Sequence, residues 1–189
     1  HFLGQDVYGS TLGIIGMGRI GIEMAKRARG FDMNILYYDV NRRTLEEEET
    51  YNMSHMPLDT VLRESDFVSI HVNLTPATYH FISDRELTLM KPTAVLVNAA
   101  RGPVVDPEAL YKALTTKQIM AAALDVTEPE PIPHNHPLVN LNNCVIVPHI
   151  ASASTATRFR MSTMAVENLI AGLSGSQMPN CVNPEVYTK

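Results

Sequence analysis

The sequence predicts an α/β domain built on a doubly wound parallel sheet. Three observations predict it. Short β-rich apolar runs alternate with helical patterns along the chain. Those runs are apolar almost throughout rather than at every second position, as in parallel strands covered on both faces. The first of them leads into Gly16-Met17-Gly18-Arg19-Ile20-Gly21, three spaced glycines between a strand and a helix.

Strands are predicted at Thr11–Ile15, Asn34–Tyr38, Phe67–Val72, Ala94–Asn98, Met120–Leu124 and Val145–Val147. Helical segments fall between them. Ile20–Arg29 follows the glycine loop, Leu58–Glu64 follows Pro57, and Asp84–Met90 ends before Pro92. Asp106 is a predicted N-cap, with Pro107 at the first helical position, where no N–H is needed; that helix reaches about Thr116. Ser154 or Thr155 opens a last long helix to about Leu173, stopped by Gly172 and Gly175. Glu46–Glu49 reads only as a short acidic run, and there is no internal repeat or low-complexity tract.

A chain of 189 residues, 45% hydrophobic and 19% charged, has the composition of an ordinary globular protein and can bury a sizeable core. A net charge of −5 leaves no basic surface for a phosphate backbone, so nucleic acid is not an expected partner. The two cysteines, Cys144 and Cys181, lack metal-ligand spacing and fit free thiols in a reducing, cytoplasmic setting. No metal site is expected. No apolar run has the length of a membrane span, and no charged-then-apolar leader is present, so no membrane partner is expected. The chain opens on His1 rather than Met, and is expected to be a piece of something longer.

The glycine loop carries a specific chemistry. Gly16 permits a tight turn, Gly18 lets the backbone approach a pyrophosphate, and Gly21 lets helix and strand pack closely. The helix start then offers unpaired N–H groups to the phosphates. Gly16, Gly18, Arg19, Ile20 and Gly21 are therefore candidate cofactor contacts in a Rossmann-type dinucleotide site. A bare glycine motif is weak evidence; the strand before it, the helix after it and Asp39 at the end of the next strand strengthen it.

Asp39 lies in LYYDVNRR. An acid about 20 residues past such a loop accepts hydrogen bonds from the adenosine ribose hydroxyls, which selects NAD. The 2′-phosphate of NADP would set its negative charge against that carboxylate, with Arg42 and Arg43 available to compensate. If this segment is helical, the arginines instead face Glu46 and Glu47 four residues on. NAD is the expected cofactor; NADP, read by Arg43, stays open.

Three polar residues follow the later strands: Arg101 in NAARG, Glu130 in LDVTEPEP and His149 in VIVPHI. Open α/β sheets bind ligands at the carboxyl ends of their strands. A 2-oxo acid reductase needs an Arg to grip the substrate carboxylate, a His to protonate the carbonyl as hydride arrives, and a carboxylate to hold that imidazole. Singly, each residue reads as well as a surface ion pair, a solvated loop residue or a structural histidine. Only the three together carry the reading.

In family order, DVYGSTLGIIGMGRIG, ESDFVSIHVNLTPAT, NAARGPVVD, AAALDVTEPEP and VPHIASAS resemble the D-isomer-specific 2-hydroxyacid dehydrogenases across essentially the whole chain. EPEPIPHNHPLV and HIASASTATRFRM are most similar to its glyoxylate/hydroxypyruvate reductase group, which also holds 2-ketogluconate reductases. The resemblance implies a catalytic trio of Arg101, Glu130 and His149, with Asp125 at the nicotinamide end. It implies that Asn73 and Ala99 line the cofactor groove and that Ser152 lies near the substrate. Two positions depart from the group: Ala151 stands where the reductases commonly have Gly, and Val40 where NADP-using members tend to place Arg.

The resemblance also implies a two-domain enzyme, of which this chain is the cofactor domain. Residues 11–173 form that domain, 1–10 come from the hinge, and 174–189 return toward a substrate domain. Such a domain alone should bind NAD but turn over little, and a homodimer of the complete protein is implied. The alternative is an NAD-sensing corepressor of the C-terminal-binding-protein type, which shares the fold and the trio. Those proteins typically carry a Trp soon after the histidine, whereas this chain has no Trp and reads ASAS there.

Overall fold

The computed structural model describes residues 4–188. It forms two units, His1–His149 and Ile150–Lys189. The first unit holds seven parallel strands in the order β3-β2-β1-β4-β5-β6-β7. They are β1 (Thr11–Ile15), β2 (Asn34–Tyr38), β3 (Met53–His55), β4 (Phe67–Ile70), β5 (Val95–Asn98), β6 (Ala121–Leu124) and β7 (Cys144–Ile146). The helices between them are α1 (Arg19–Ala28), α2 (Leu45–Tyr51), α3 (Leu58–Glu64), α4 (Asp84–Leu89) and α5 (Pro107–Thr115). The second unit is built on α6 (Thr155–Leu173), which Ser154 caps by accepting from the Thr157 N–H.

The chain winds outward from β1 through β2 to β3, then returns to lay β4 on the other side of β1. This reversal opens a crevice at the carboxyl ends of β1 and β4, the switch point of a doubly wound sheet. The register levels those ends: Ile15 pairs with Ile70, Ile70 with Asn98, Asn98 with Leu124, and Leu124 with Ile146. The loops that start at Gly16, His71, Ala99, Asp125 and Val147 consequently leave from one edge.

Two apolar clusters hold the sheet. One joins α1 to β1 and β2 through Leu12, Ile14, Ala25, Ala28, Ile35 and Tyr37. The larger joins α3, α4 and α5 to β4, β5 and β6 through residues such as Leu62, Ile70, Leu87, Leu96, Leu110 and Leu124. Strand β1 and strand β4 are buried along nearly their whole length, as near-continuous apolar runs require. Burial alternates along β5 and β6, and β7 is only partly covered, so the two-faced cover expected of every strand holds at the centre alone.

The structure adds two elements to the predicted ones. Strand β3 spells Met-Ser-His, too short and polar to stand out, and forms by pairing with β2. The acidic run lies in helix α2, which Thr44 and Glu47 close with a capping box. Strand and helix ends otherwise shift by one or two residues: β4 stops at Ile70 rather than Val72, and β7 runs Cys144–Ile146 rather than Val145–Val147. Helix α6 buries no residue, and Phe159, Val166, Leu169, Ile170 and Leu173 are exposed on it. Among the described residues, no helix is long and apolar enough to cross a membrane.

Helix α2 also corrects the expected arginine pairing. Arg42 does not pair with Glu46 and reaches Glu48 instead, through Nε at 2.9 Å and Nη2 at 2.7 Å. Glu48 is 8% exposed and also accepts from the Tyr37 hydroxyl at 2.7 Å. The Arg42 guanidinium holds the Glu48 carboxyl down to about 2, against the opposing effect of burial. Burial, reinforced by Glu48, pushes the Tyr37 phenol up to about 12.

A carboxyl depressed from 4.5 to about 2 stabilises the fold above pH 4.5, and that contribution is lost as pH falls toward 2. Urea midpoints measured across this window should therefore fall more steeply for the wild type than for Glu48→Gln. Equal acid sensitivity of the two proteins would contradict this assignment.

Candidate active site

The site is built at the carboxyl edge of the sheet, beginning with the loop after β1. Gly16 has φ +93°, and a Cβ there would lie 2.7 Å from the backbone of His71 and Val72. Only glycine lets this turn lie against the exit of β4. A Cβ on Gly21 would stand 2.3 Å from the Gly16 carbonyl oxygen, so the third glycine seats α1 on the loop. A Cβ on Gly18 would meet nothing within 4 Å; the backbone there is open to an approaching group. These are the three roles a pyrophosphate cradle requires.

Asp39 and Arg43 both bind this loop. Asp39 Oδ2 accepts from the Met17 N–H at 2.7 Å, and Oδ1 accepts from the Asn41 N–H at 2.8 Å. Arg43 donates to the Met17 carbonyl through Nε at 2.6 Å and also through Nη2, and its Nη1 lies 3.8 Å from Glu47. The Met17 peptide is thus bracketed by an acid and a base. Arg43 takes the expected Glu47 partner, while Arg42 is committed to Glu48.

Beside the loop lies a groove of about 450 Å³ lined by Ile20, His71, Asn73, Leu74, Ala99 and Arg101, among others. The sequence alone does not mark His71. Its Nε2 hydrogen-bonds Ser69 Oγ at 2.8 Å, and burial pushes its imidazole down to about 4, so it is neutral at physiological pH. The available signal was its place directly after the apolar strand FVSI.

The loop after β5 carries Arg101 and is held by buried Asn98. Asn98 Nδ2 donates to the Arg101 carbonyl at 2.9 Å, and Oδ1 accepts from the Ala100 N–H at 3.0 Å. Arg101 itself donates to the Ala100 carbonyl at 2.6 Å. Gly102 then packs on the next loop so closely that a Cβ would stand 1.9 Å from the Thr127 carbonyl oxygen.

Beyond β6, Asp125 is buried, and its carbonyl accepts from the His149 N–H at 2.9 Å. His149 takes a left-handed backbone, φ +53°, and its Nδ1 meets Glu130 Oε1 at 2.7 Å. Both side chains are partly exposed, His149 at 51% and Glu130 at 41%. They share a cleft of about 600 Å³ with Asp125, Ile132, Val139 and Ile146. Arg101 lines the other depression, the groove beside the glycine loop. Ser152 belongs to the second unit and is exposed. Among the described residues, no cluster of three or more His, Cys, Asp or Glu side chains could hold a metal ion.

Fold and edge together define a dinucleotide-binding α/β domain. A sequence profile described as "D-isomer specific 2-hydroxyacid dehydrogenase, NAD binding domain" matches residues 1–151, and the chain belongs to that family. It is 57% identical over 184 residues to a glyoxylate reductase of Korarchaeum cryptofilum, covering 97% of this chain and 55% of that protein. It is 50% identical to glyoxylate/hydroxypyruvate reductase B of Pectobacterium atrosepticum, covering 98% and 58%. The crystal structure of D-lactate dehydrogenase with NAD+ from Lactobacillus jensenii superposes with a TM-score of 0.86 at 31% identity, covering 95% of this chain and 57% of that one. The chain thus spans about half the length of the curated relatives it matches.

The open space at Gly18 and the closed space at Gly16 give a clean pair of tests. If this loop cradles a pyrophosphate, Gly18→Val should leave the thermal midpoint near the wild-type value while weakening NADH binding at least ~10-fold. Gly16→Ala should lower the midpoint itself, by roughly 1–3 kcal/mol of stability. Fluorescence titration with calorimetry checks both. Unchanged NADH affinity in Gly18→Val would contradict the assigned cradle.

Proposed function

We propose that the chain is the cofactor-binding domain of an NADH-dependent reductase of small 2-oxo acids, of the glyoxylate or hydroxypyruvate type. The observation that carries this is the 2.7 Å contact of Glu130 with His149 at the carboxyl edge of a dinucleotide fold. Residues 11–173 form the domain, with 1–10 and 174–189 as passages to a substrate domain. The coverage of the relatives supports this division.

In this reading Gly16, Gly18, Arg19, Ile20 and Gly21 hold the pyrophosphate, and Asp39 accepts from the adenosine ribose hydroxyls. Arg43 steadies the loop through Met17. Asn73, Ala99 and Asp125 line the path to the nicotinamide end. An acid at the ribose disfavours a 2′-phosphate, and the commitments of Arg42 and Arg43 to Glu48 and Met17 leave little cationic compensation, so NADH is preferred over NADPH.

When bound, NADH supplies the hydride that reduces the substrate carbonyl carbon. Arg101 grips the substrate carboxylate, and a planar fork suits two oxygens. His149 gives its proton to the carbonyl oxygen, which becomes the hydroxyl of the 2-hydroxy acid. Because an ionised carboxylate only accepts, a proton sits on His149 Nδ1 in this contact, which leaves Nε2 as the nitrogen that hands a proton to the substrate. Ser152 contributes on the substrate side. A homodimer in a cytoplasmic, reducing setting completes the proposal, consistent with the free thiols of Cys144 and Cys181. The relatives named above are reductases and dehydrogenases, and none of these observations favours the corepressor alternative.

In the full-length protein, His149→Ala should lower kcat for glyoxylate or hydroxypyruvate by about 10²–10⁴-fold while NADH affinity is kept. Near-normal turnover in this variant would overturn the assigned roles. Assayed alone, the 189-residue chain, about half the length of the relatives it matches, should bind NADH with little turnover, and a rate equal to that of the full-length protein would contradict this.

A further inference from the structure

We propose that His80 and Glu128 form a positioning pair, outside the reacting groups, that aims Glu130 at His149. The proposal rests on the reductase reading and extends it to two residues with no role in the trio.

The segment that carries Glu130 is poor in backbone anchors. Thr127-Glu128-Pro129-Glu130-Pro131 contains two prolines, so two of its five residues have no N–H to donate. Side chains must then fix it. Thr127 Oγ1 closes on the Pro129 carbonyl at 2.9 Å, and Gly102 packs on the Thr127 carbonyl from the neighbouring loop. Besides the Glu130–His149 contact itself, the anchor to a neighbouring loop is Glu128. Its Oε2 lies 2.7 Å from His80 Nε2, and its Oε1 accepts from the Tyr79 hydroxyl at 3.3 Å.

His80 is itself held from three directions. Its N–H donates to the Pro103 carbonyl at 2.8 Å, and its backbone takes the left-handed region at φ +47°. Its ring stacks on Tyr79 with centroids 4.0 Å apart. Its Nδ1 stands 3.8 Å from Asp106 Oδ2, a carboxylate oxygen already bound by Ser83 Oγ at 2.9 Å. An ionised Glu128 can only accept, so the Nε2 position carries the proton in this contact.

The geometry makes His80 a junction of three loops. Its own segment begins with His71 and Asn73, its backbone partner Pro103 follows Arg101, and its side-chain partner lies two residues before Glu130. Each loop contributes a residue to the candidate site. Loss of the pair leaves the segment tied to its neighbours by the Gly102 packing on Thr127 and by the Glu130–His149 contact itself, the very contact that must be aimed. Glu130, partly exposed, then samples other rotamers, and a displacement of about 1 Å at such a site is enough to cost up to ~100-fold in rate.

The test compares Glu128→Ala, Glu128→Gln and His80→Ala in the full-length protein. Both alanine variants should lower kcat by about 10–100-fold, with KM for NADH within about twofold of wild type. Glu128→Gln keeps an accepting oxygen for His80 and should restore most of the rate. The double alanine variant should be no worse than the poorer single one, because the two residues act as a unit. Additive losses, or a thermal midpoint that falls while kcat holds, would overturn the proposal.

A second readout does not depend on turnover. The proton shared by His149 and Glu130 should give a far-downfield NMR resonance, absent in Glu130→Ala, present in wild type and Glu128→Gln, and lost or displaced in Glu128→Ala. An unchanged resonance in Glu128→Ala would overturn the pair. A wild type that shows the resonance yet never reduces a 2-oxo acid would instead overturn the reductase reading.

Discussion

The architecture turns on a missing atom. With no Cβ at Gly16, the exit of β1 folds within van der Waals reach of the His71 and Val72 backbone at the exit of β4. Any other residue there would face both a left-handed φ and a backbone collision. That close approach joins the two strands between which the sheet reverses direction, so it fixes the crevice where a dinucleotide can lie. The Met17 amide then points to Asp39, and α1 starts directly after Gly18, where a Cβ would meet nothing within 4 Å.

From that point outward the edge is assembled loop against loop by polar side chains. Loops cannot satisfy their backbone groups through a sheet ladder, and buried donors and acceptors left unpaired are costly. Asn98 ties down the Arg101 loop, Asp39 and Arg43 bracket Met17, and the Asp125 carbonyl receives the His149 N–H. Gly102 lets the Arg101 loop press on the Thr127 loop, which in turn carries Glu130. Rigid strands set the starting points and these contacts set the directions, a combination suited to a site that must hold a few side chains within hydrogen-bonding reach.

Much of this was legible in the residues. The apolar runs mark the central strands because those strands are buried on both faces, and the glycine spacing marks the tight loop after β1 because Gly16 and Gly21 answer to different steric demands. Asp106 with Pro107 marks a helix start, and it caps α5 through the Glu108 and Ala109 N–H groups. What was not legible depends on partners distant in sequence. Strand β3 exists through its pairing with β2, and Arg42 finds its partner in Glu48, the carboxylate that Tyr37 of β2 also binds. Histidine 71 became distinctive only once burial and Ser69 were known, and His80 only once Glu128 was found 48 positions away at its ring. Glu130 and His149 could be named from their motifs, but their direct contact could not.

If the carboxyl edge opened at Gly16 is where the cofactor lies, amide chemical-shift mapping of the chain titrated with NADH will show it there. Saturable shifts are predicted at Gly18, Arg19, Ile20 and Gly21, around Asp39, and along Asn73, Ala99 and Asp125. Little change is predicted at Asn34, Phe67, Val95 and Ala121, which begin their strands at the opposite edge. Shifts concentrated at that opposite edge, or no saturable shift in the glycine loop, would contradict the account.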